Sequence, residues 1–397
     1  MIAERISRIA PSATMKISAR AKELRDSGRK IVSLSQGEPD FKTPQHICDA
    51  AIEAIKDGHH GYTVNTGNIE LRKAICDKLE RENGYHFKPN QVVVSNGAKQ
   101  SIGFSILATI GPGDEVIIPA PYWVSYPEMV KLAEGEPVVV RTEFENDYKL
   151  TAAQLEQAIT PKTKMLILCS PSNPTGSCYS KAELKELAEV LQKYPDVLIL
   201  SDEIYEYIVF DGDHVSIGEV APELMHRIIV INGFSKGFAM TGWRLGYLAA
   251  HESIAGAVAK IQSQETSGAC SISQKAGEAA YNSGLEEVEK MREAFKQRRD
   301  YLVTALNEVP GVSCFSPGGA FYAFPDISSY LGKKTPDGDT IASSTDLCLF
   351  LLEEKGLALV PGDAFGEPNG IRLSYAASLD ELKQAMEILK SGLAALV

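Results

Sequence analysis

The sequence contains a lysine and an aspartate whose positions suit catalysis, each placed shortly after a short apolar run. Residues 228–231 lead to Lys236, which lies among small and aromatic residues with Arg244 eight positions further on. Desolvation beside a cation lowers the pKa of an amine into the range where it is a nucleophile. Residues 197–200 lead to Asp202, and a carboxylate buried at a strand end needs a cationic partner. These positions predict a nucleophilic amine and a charged carboxylate at one edge of a sheet.

Two further apolar runs end in segments that suit ligand binding. After residues 92–94, the small residues of 95–100 are typical of a helix start whose free N–H groups bind a phosphate. After the run that ends at Leu168, the amide side chain of Asn173 lies between two X-Pro steps, which make the turn rigid. Phosphate donors, an amide, a carboxylate and an amine are together the parts that a pyridoxal phosphate site requires.

The apolar runs alternate with segments of helical pattern through the middle of the sequence. Residues 182–191 are one such segment, with apolar residues at 184, 187, 188 and 191, the spacing of one helix face. This alternation predicts an α/β fold with a mainly parallel sheet covered by helices. Because ligands bind outside the carboxyl ends of parallel strands, we expect the polar residues named above to meet in one crevice.

The pattern changes after Gly284 and predicts a second, smaller domain of the α+β class. A long charged helix, two strands and a final helix are expected at about residues 285–307, 319–324, 370–374 and 379–396. We therefore predict a large domain over residues 45–290 and a small domain over residues 291–397. Residues 1–44 are expected to pack with the small domain or across a dimer.

Charge and cysteine content argue against several classes of protein. The sequence has 40 Lys+Arg against 52 Asp+Glu, and the resulting net charge of −12 does not suit a nucleic-acid or anionic-membrane surface. It has no apolar stretch of the roughly 20 residues that a membrane-spanning helix needs, and no signal-peptide pattern. The 7 cysteines are scattered, without zinc-like spacing. We expect reduced thiols, no metal site and a cytoplasmic location.

Eight short motifs connect the sequence with a known family. They are Gly-Glu-Pro-Asp-Phe (37–41), Ser-Asn-Gly-Ala-Lys-Gln (95–100), Pro-Tyr-Trp-Val-Ser-Tyr-Pro (121–127), Asn-Pro-Thr-Gly (173–176), Ser-Asp-Glu-Ile-Tyr (201–205), Ser-Lys (235–236), Thr-Gly-Trp-Arg-Leu-Gly-Tyr (241–247) and Arg-Leu-Ser-Tyr (372–375). With these motifs in this order, the chain resembles class I, fold-type I pyridoxal-phosphate-dependent aminotransferases of the bacterial aspartate aminotransferase branch. The resemblance covers nearly the whole chain and implies a seven-stranded-type sheet in the large domain.

The resemblance also implies a role for each residue of the cofactor site. Lys236 would hold pyridoxal phosphate as a Schiff base and then serve as base and acid for the proton shift, while Asp202 would pair with the pyridinium nitrogen. Trp123 would stack on the ring, and Asn173 and Tyr205 would hydrogen-bond its phenolic oxygen. The phosphate would be held by the backbone of Gly97, Ala98 and Lys99, by the side chains of Ser235 and Arg244, and by Tyr62 of the partner subunit in a homodimer with shared sites.

The resemblance further implies how a substrate binds. Arg372 would grip the α-carboxylate beside Trp123, helped by Asn173 and the backbone of Gly37. Lys99 corresponds to the lysine that reaches the distal carboxylate of the substrate in the aspartate-type branch. We therefore expect an L-aspartate:2-oxoglutarate aminotransferase that works by two ping-pong half-reactions.

Other activities share the cofactor residues and stay open at this stage. They are transamination of aromatic or other neutral amino acids, transamination of prephenate, and a β-lyase or γ-elimination reaction. Prephenate-using relatives tend to carry a basic residue before a Pro-Ser step near the N-terminus, where this sequence has Ala10, which argues against prephenate. A transcription regulator with an aminotransferase-like domain is a non-enzymatic alternative, and the acidic net charge argues against it.

One position departs from the pattern of the family. Many relatives read Ser-x-Ser-Lys before the cofactor-binding lysine, whereas this sequence has Gly233 as the first residue of that motif. One phosphate hydroxyl is therefore absent. We expect the backbone N–H of Gly233 to donate instead, with weaker phosphate contacts as the result.

Overall fold

The computed structural model describes residues 2–11 and 13–397, so the segment 1–44 is described without Met1 and Ser12. The strands are β1 (Val32–Ser33), β2 (Val92–Ser95), β3 (Glu115–Ala120), β4 (Glu136–Arg141), β5 (Thr163–Cys169), β6 (Leu198–Asp202), β7 (Ile228–Gly233), β8 (Gly246–Ala249), β9 (Tyr322–Ala323), β10 (Leu357–Ala358), β11 (Val360–Pro361) and β12 (Ile371–Ser374). The α-helices are α1 (Glu4–Ser7), α2 (Ala13–Asp26), α3 (Gln45–Lys56), α4 (Ile69–Asn83), α5 (Ala98–Thr109), α6 (Tyr126–Leu132), α7 (Ala152–Ala158), α8 (Lys181–Gln192), α9 (Ile217–Val220), α10 (Glu252–Glu265), α11 (Ser271–Asn282), α12 (Glu286–Asn307), α13 (Ser344–Lys355) and α14 (Leu379–Ala394). Among the residues described, no helix combines the length and the apolar character needed to cross a membrane.

Seven strands form one sheet, in the order β2-β8-β7-β6-β5-β3-β4. Neighbouring strands from β7 to β4 are parallel, while β8 pairs antiparallel with both β2 and β7. The register sets Asp202, the last residue of β6, opposite Cys169 of β5 and Ile231 of β7. The segments that follow these three strands therefore lie side by side. The predicted α/β fold with a mainly parallel, seven-stranded sheet is confirmed.

Both faces of this sheet are buried under helices. In β7, Ile228 and Val230 belong to one apolar core, whereas Ile229 and Ile231 belong to another. Because alternate residues of a strand point to opposite faces, an unbroken apolar run is what a doubly covered strand requires. Helix α8 covers one face. Its start is capped by the side chain of Ser180, and it buries the apolar residues at 184, 187, 188 and 191 that the spacing predicted.

A separate core lies in the C-terminal part of the chain. The antiparallel sheet β11-β12-β9 packs with α12, α13 and α14 around buried residues such as Phe295, Leu347 and Leu382. Strand β1 pairs with β10, and Ile17 of α2 shares an apolar cluster with Leu352 of α13. Parts of the N-terminal segment thus contact β10 and α13. The domain boundaries at residues 44 and 290 stay a prediction.

Candidate active site

A cavity of about 550 Å³ lies at the carboxyl ends of the parallel strands, where residues from β9, β12 and the segment after β1 close it. Most of the predicted site residues line this cavity, namely Gly37, Ala98, Lys99, Trp123, Asn173, Asp202, Tyr205, Ser235, Lys236, Arg244 and Arg372. Gly97 directly precedes Ala98 at the start of α5. Tyr62 does not line the cavity of its own chain. The structure thus brings residues that follow the strands of the seven-stranded sheet together with residues of the C-terminal part of the chain, such as Arg372.

One end of the cavity is formed by the start of helix α5 and by Arg244. Gly97 precedes this helix with a φ of +88°, a backbone conformation that favours glycine. A Cβ atom at Gly97 would lie only 2.5 Å from Nη2 of Arg244, so the missing side chain is what lets the guanidinium approach the helix N-terminus. Ser235 lines the cavity as well. A guanidinium next to free helix N–H groups suits a phosphate.

Lys236 follows β7 and is partly buried. Its Nζ donates a hydrogen bond to the backbone carbonyl of Gly37 and lies 5.9 Å from the ring centre of Tyr205. Burial first, and then the charge of Arg372, lowers the pKa of Lys236 to about 8. Arg244, the neighbour that the sequence suggested, has a smaller effect than Arg372. The lowered pKa agrees with the nucleophilic amine expected from the sequence.

Asp202 is buried, and both of its carboxylate oxygens have donors. Oδ2 accepts a hydrogen bond of 2.6 Å from the hydroxyl of Tyr126, and Oδ1 accepts one of 3.3 Å from the backbone N–H of Ile204. Burial raises the pKa of Asp202 to about 6, although these bonds favour the anion. Its carboxylate forms no ion pair with the residues that the structure describes. A cationic group in the cavity beside Asp202 would complete this arrangement.

Arg372 is buried on β12, at 3% exposure, whereas an arginine on a strand is more often found at the surface. Its Nη1 donates to Oδ1 of Asn173 at 2.9 Å, and its Nη2 donates to the carbonyl of Ser35 at 2.8 Å. The guanidinium carbon lies 4.5 Å from the ring centre of Tyr322. Its buried Nε has no hydrogen-bond partner in the described part of the chain. A buried cation with a spare donor suits a carboxylate ligand.

Trp123 and Lys99 form another part of the cavity wall. Trp123 is half-buried and packs edge-to-face on Tyr126, with ring centres 5.3 Å apart. The Nζ of Lys99 lies 5.2 Å from the ring centre of Trp123. Burial, and then the charge of Arg244, lowers the pKa of Lys99. This lysine is therefore a second cation of the cavity, separate from Arg372.

Gly233 does not behave as the sequence led us to expect. Its backbone N–H donates to the side-chain oxygen of Asn232 at 2.7 Å, so this donor is already engaged. A Cβ atom at Gly233 would lie 2.9 Å from Cα of Gly246 on the antiparallel neighbour β8. The expectation that Gly233 donates to a phosphate is therefore wrong. Here the glycine allows close contact between two strands.

Two tyrosines of the cavity had no role in our sequence predictions. Tyr126 holds Asp202 and lies in the motif 121–127, so its presence there was the available signal. Tyr322 is 1% exposed, and its hydroxyl lies 2.9 Å from that of Tyr205. Tyr322 lies within the strand predicted over residues 319–324, and its place in that strand is equally typical of a core residue. Sequence spacing gave no reason to separate it from the core.

The chain is similar to known aminotransferases in both sequence and structure. Residues 29–389 match the sequence model of the family described as aminotransferase class I and II. The chain is 49% identical over 99% of its length to the bifunctional aspartate aminotransferase and glutamate/aspartate-prephenate aminotransferase of Petunia hybrida, and covers 82% of that protein. It is 46% identical to the aspartate/prephenate aminotransferase of Nitrosomonas europaea, over 98% of this chain and 99% of that protein. The crystal structure of the aspartate aminotransferase from Rhizobium meliloti matches with a TM-score of 0.97 at 44% identity, over 100% of both chains.

Proposed function

Because this chain belongs to the class I and II aminotransferase family, we propose that it transfers the amino group of L-aspartate to 2-oxoglutarate and forms oxaloacetate and L-glutamate. The observation that carries the proposal is that two separate cations, Arg372 and Lys99, line the cavity that contains Lys236. A dicarboxylate amino acid offers one carboxylate to each cation, whereas a neutral amino acid leaves the second cation without a partner. The relatives named for aspartate support the same choice.

We infer that the cofactor is pyridoxal 5'-phosphate, since the cavity has a group that fits each part of it. The gap at Gly97 beside Arg244 suits the phosphate, and the buried carboxylate of Asp202 suits a protonated ring nitrogen. When bound, this cofactor withdraws electrons from the substrate and so acidifies the proton on its α-carbon. The residues that would hold it are Gly97, Ala98, Lys99, Trp123, Asn173, Asp202, Tyr205, Ser235, Lys236 and Arg244, with Tyr62 of the partner subunit.

Lys236 carries the proton in this proposal. Its pKa of about 8 leaves a useful fraction of the amine unprotonated near neutral pH. The unprotonated Nζ accepts the proton from the α-carbon of the substrate, and the ammonium later returns a proton. Tyr205 lines the same cavity, with its ring centre 5.9 Å from Nζ of Lys236, and its hydroxyl would hold the cofactor by a hydrogen bond.

Arg372 positions the substrate by its α-carboxylate. Asn173 and the carbonyl of Ser35 each accept one N–H of the guanidinium and so fix its plane. A fixed planar fork binds a carboxylate through two parallel hydrogen bonds and fixes the orientation of the substrate. The backbone of Gly37 lines the same part of the cavity. This arrangement places the α-carbon within the cavity that contains Lys236.

Prephenate is the second candidate substrate, because the Petunia and Nitrosomonas relatives are named for it. The residue at position 10 is alanine, and its backbone N–H donates to Glu128 at 2.6 Å. The side chain at this position thus offers no cation to an additional carboxylate. This feature favours aspartate over prephenate as the substrate of this chain. An aminotransferase for aromatic or other neutral amino acids is the remaining alternative.

An absorbance titration tests cofactor and substrate together. Purified protein loaded with pyridoxal phosphate is titrated in parallel with L-aspartate, L-phenylalanine and L-alanine, and prephenate is offered as the amino acceptor from L-aspartate and from L-glutamate. We expect aspartate to replace the visible absorbance band of the bound cofactor with that of its aminated form. This should occur at micromolar-to-millimolar concentrations of aspartate, the usual substrate range. Conversion by phenylalanine or alanine alone would overturn the substrate. Release of pyruvate and ammonia would indicate an elimination reaction instead.

Removal of Lys99 tests the role of the second cation. In the half-reaction that the absorbance titration follows, without 2-oxoglutarate, we expect Lys99→Ala to lose activity with aspartate while it keeps its activity with alanine, because of these two amino acids only aspartate has a distal carboxylate. Lys73→Ala is the matched control, since Lys73 is exposed on α4 and does not line the cavity. Equal loss with both amino acids, or no loss with either, would contradict the role assigned to Lys99.

We also infer a homodimer that works in the cytoplasm. Tyr62 is fully exposed and lies outside the cavity of its own chain, as expected of a residue that completes the site of a partner subunit. All 7 cysteines are free thiols, which agrees with a reducing compartment. The composition gives no surface suited to nucleic acid or to an anionic membrane.

A further inference from the structure

Tyr322 lies between two residues that have different tasks in the proposed reaction. Its hydroxyl is 2.9 Å from the hydroxyl of Tyr205, and its ring centre is 4.5 Å from the guanidinium carbon of Arg372. We propose that Tyr322 is a positioning residue that orients the Tyr205 hydroxyl toward the cofactor and holds the Arg372 guanidinium in place for the substrate carboxylate. The inference rests on the proposed aminotransferase function.

The hydroxyl pair has a fixed direction when Tyr205 serves the cofactor. A tyrosine hydroxyl has one proton to donate, and Tyr205 uses it for the phenolic oxygen of the ring. The oxygen of Tyr205 then accepts the proton of Tyr322. Both side chains are buried, at 3% and 1% exposure, so bulk water does not compete for this bond. In a series of linked hydrogen bonds each bond polarises the next. The bond from Tyr322 therefore makes the Tyr205 hydroxyl a stronger donor.

The ring of Tyr322 acts on Arg372 in a different way. The guanidinium lies near two aromatic rings, with its carbon 4.5 Å from the centre of Tyr322 and 5.1 Å from that of Phe365. A cation close to an aromatic ring is attracted by the negative face of the ring, most strongly where water is excluded. Together with the acceptors Asn173 and Ser35, this packing restricts the plane of the guanidinium. A two-point grip on a carboxylate depends on that plane.

Tyr322 also lies against the segment that binds the substrate through its backbone. A Cβ atom at Gly37 would be 2.8 Å from the Tyr322 hydroxyl, so the two groups are in direct contact. The side chain lines the cavity rather than only filling the core around Phe321. Its hydroxyl and its ring thus face two separate tasks, which two substitutions can separate.

Tyr322→Phe tests the hydroxyl. The variant keeps the ring, and it is loaded with pyridoxal phosphate and titrated with acid and base while the visible band is recorded. We expect the midpoint of the titration to rise by about half a pH unit. The reason is that a weaker bond from Tyr205 stabilises the negative phenolic oxygen less, so the protonated form of the band persists to higher pH. The affinity for succinate, a dicarboxylate that cannot react, should stay unchanged. Tyr205→Phe is the reference for loss of the donor itself.

Tyr322→Leu tests the ring. We expect succinate to bind about tenfold more weakly, because the guanidinium loses one of its two aromatic neighbours. Tyr375→Phe is the matched control for Tyr322→Phe, and Tyr375→Leu is the matched control for Tyr322→Leu. Tyr375 is also fully buried, in the same apolar core as Tyr322, but its hydroxyl bonds the carbonyl of Ala320 at 3.3 Å and it does not line the cavity. Neither control should change the midpoint or the succinate affinity.

The possible results separate this inference from the proposed function. An unchanged midpoint in Tyr322→Phe, with a clear shift in Tyr205→Phe, would overturn the role of the hydroxyl. Unchanged succinate binding in Tyr322→Leu would overturn the role of the ring. A wild-type protein without any visible band would overturn the proposed cofactor and with it the hydroxyl role, whereas succinate binding would still decide the ring role.

Discussion

The hydroxyl of Tyr126 donates a hydrogen bond of 2.6 Å to Oδ2 of Asp202, and both side chains are buried. Burial raises the pKa of Asp202 to about 6, which is close to neutral pH. Each donor that stabilises the carboxylate anion therefore matters for its charge at neutral pH. Tyr126 is the donor at the shortest distance to this carboxylate, and it is the first residue of α6.

We expect Tyr126→Phe to weaken the binding of pyridoxal phosphate roughly tenfold at pH 7, since the loss of a hydrogen bond to a charged group raises the pKa of Asp202 further. A protonated Asp202 does not attract a cationic ring nitrogen. At pH 9 the effect should be smaller, because Asp202 is then ionised in both proteins. Fluorescence titration of the cofactor-free protein at the two pH values measures this. Tyr281→Phe, which changes a buried tyrosine of another hydrogen-bond pair, is the control. An equal effect of Tyr126→Phe at both pH values would contradict the account.

Lys236 should make the stability of the cofactor-free protein depend on pH. Its pKa is lowered from 10.5 to about 8 by burial and by Arg372. Between these values the unfolded chain binds more protons than the folded one, so the free energy of unfolding rises with pH. Below pH 8 the lysine is charged in both states, and the burial of its charge destabilises the fold in full.

We therefore expect Lys236→Met to be more stable than the wild type at pH 7, and the difference to shrink toward pH 10. The full pKa shift corresponds to about 3 kcal/mol, and roughly 2 kcal/mol is expected because the side chain is partly exposed and its bond to Gly37 is lost. Urea unfolding at several pH values measures the difference. Lys73→Met, on the exposed face of α4, should have little effect at any pH. A pH-independent difference would show that Lys236 is not the cause.

The sheet could be predicted from the sequence because a strand buried on both faces must be apolar without interruption. Residues 228–231 show this pattern, and the structure contains β7 there. Strand β8 has no such signal in the sequence, because Gly246–Ala249 is short and continues the motif around Arg244 without a turn signal of its own. The strand ends in turn placed Asp202, Asn173 and Lys236 together, since parallel neighbours end at the same edge.

The contacts that residues of the C-terminal part of the chain make in the cavity could not be predicted from apolar runs and strand ends. Arg372 reaches Asn173 across 199 positions of sequence, and by its residue type alone it would be placed at the surface. Only the resemblance to a family gave it a role. For the same reason the sequence pointed to Arg244 as the cation near Lys236, while the three-dimensional arrangement makes Arg372 the more important one. Tertiary proximity decides both cases.

Residues 35–43, the linking segment, contact both Arg372 and Lys236. The carbonyl of Ser35 accepts a hydrogen bond from Arg372, and that of Gly37 accepts one from Lys236. Further along the segment, Asp40 forms a two-point ion pair with Arg298 of α12, with N–O distances of 2.7 and 2.9 Å. The pair ties the linking segment to helix α12.

We expect Asp40→Ala to raise the KM for aspartate about fivefold, with a smaller change in kcat, because a partly exposed pair contributes on the order of 1 kcal/mol. Steady-state kinetics with varied aspartate measures the two constants. The charge-swapped double variant Asp40→Arg with Arg298→Asp should recover part of the loss. Glu287→Ala is the control, since it breaks an exposed pair with Lys290 on the same helix α12. Full activity of Asp40→Ala would mean that the ion pair does not position the segment.

The exposed position of Tyr62 leads to a prediction about mixed dimers. If Tyr62 of the partner subunit completes each site, one site takes its Lys236 from one subunit and its tyrosine from the other. Tyr62→Ala and Lys236→Ala then remove parts of the site that come from different subunits. Co-expression of the two variants creates a hybrid dimer with one intact site, because the Lys236→Ala chain supplies the tyrosine to the chain with the intact lysine. We expect about a quarter of the wild-type activity in a statistical mixture.

The control for this experiment combines Lys236→Ala with Asp202→Ala. Both residues line the cavity of their own chain, so a hybrid dimer of these two variants has no intact site and should stay inactive. Recovery in the first mixture and none in the second would show that Tyr62 acts across the subunit boundary. Equal inactivity of both mixtures, with hybrid dimers confirmed by mass spectrometry, would mean that the site is complete within one chain. Tyr62 would then act on the site of its own chain, whereas full activity of Tyr62→Ala by itself would mean that this residue has no role in the cofactor site.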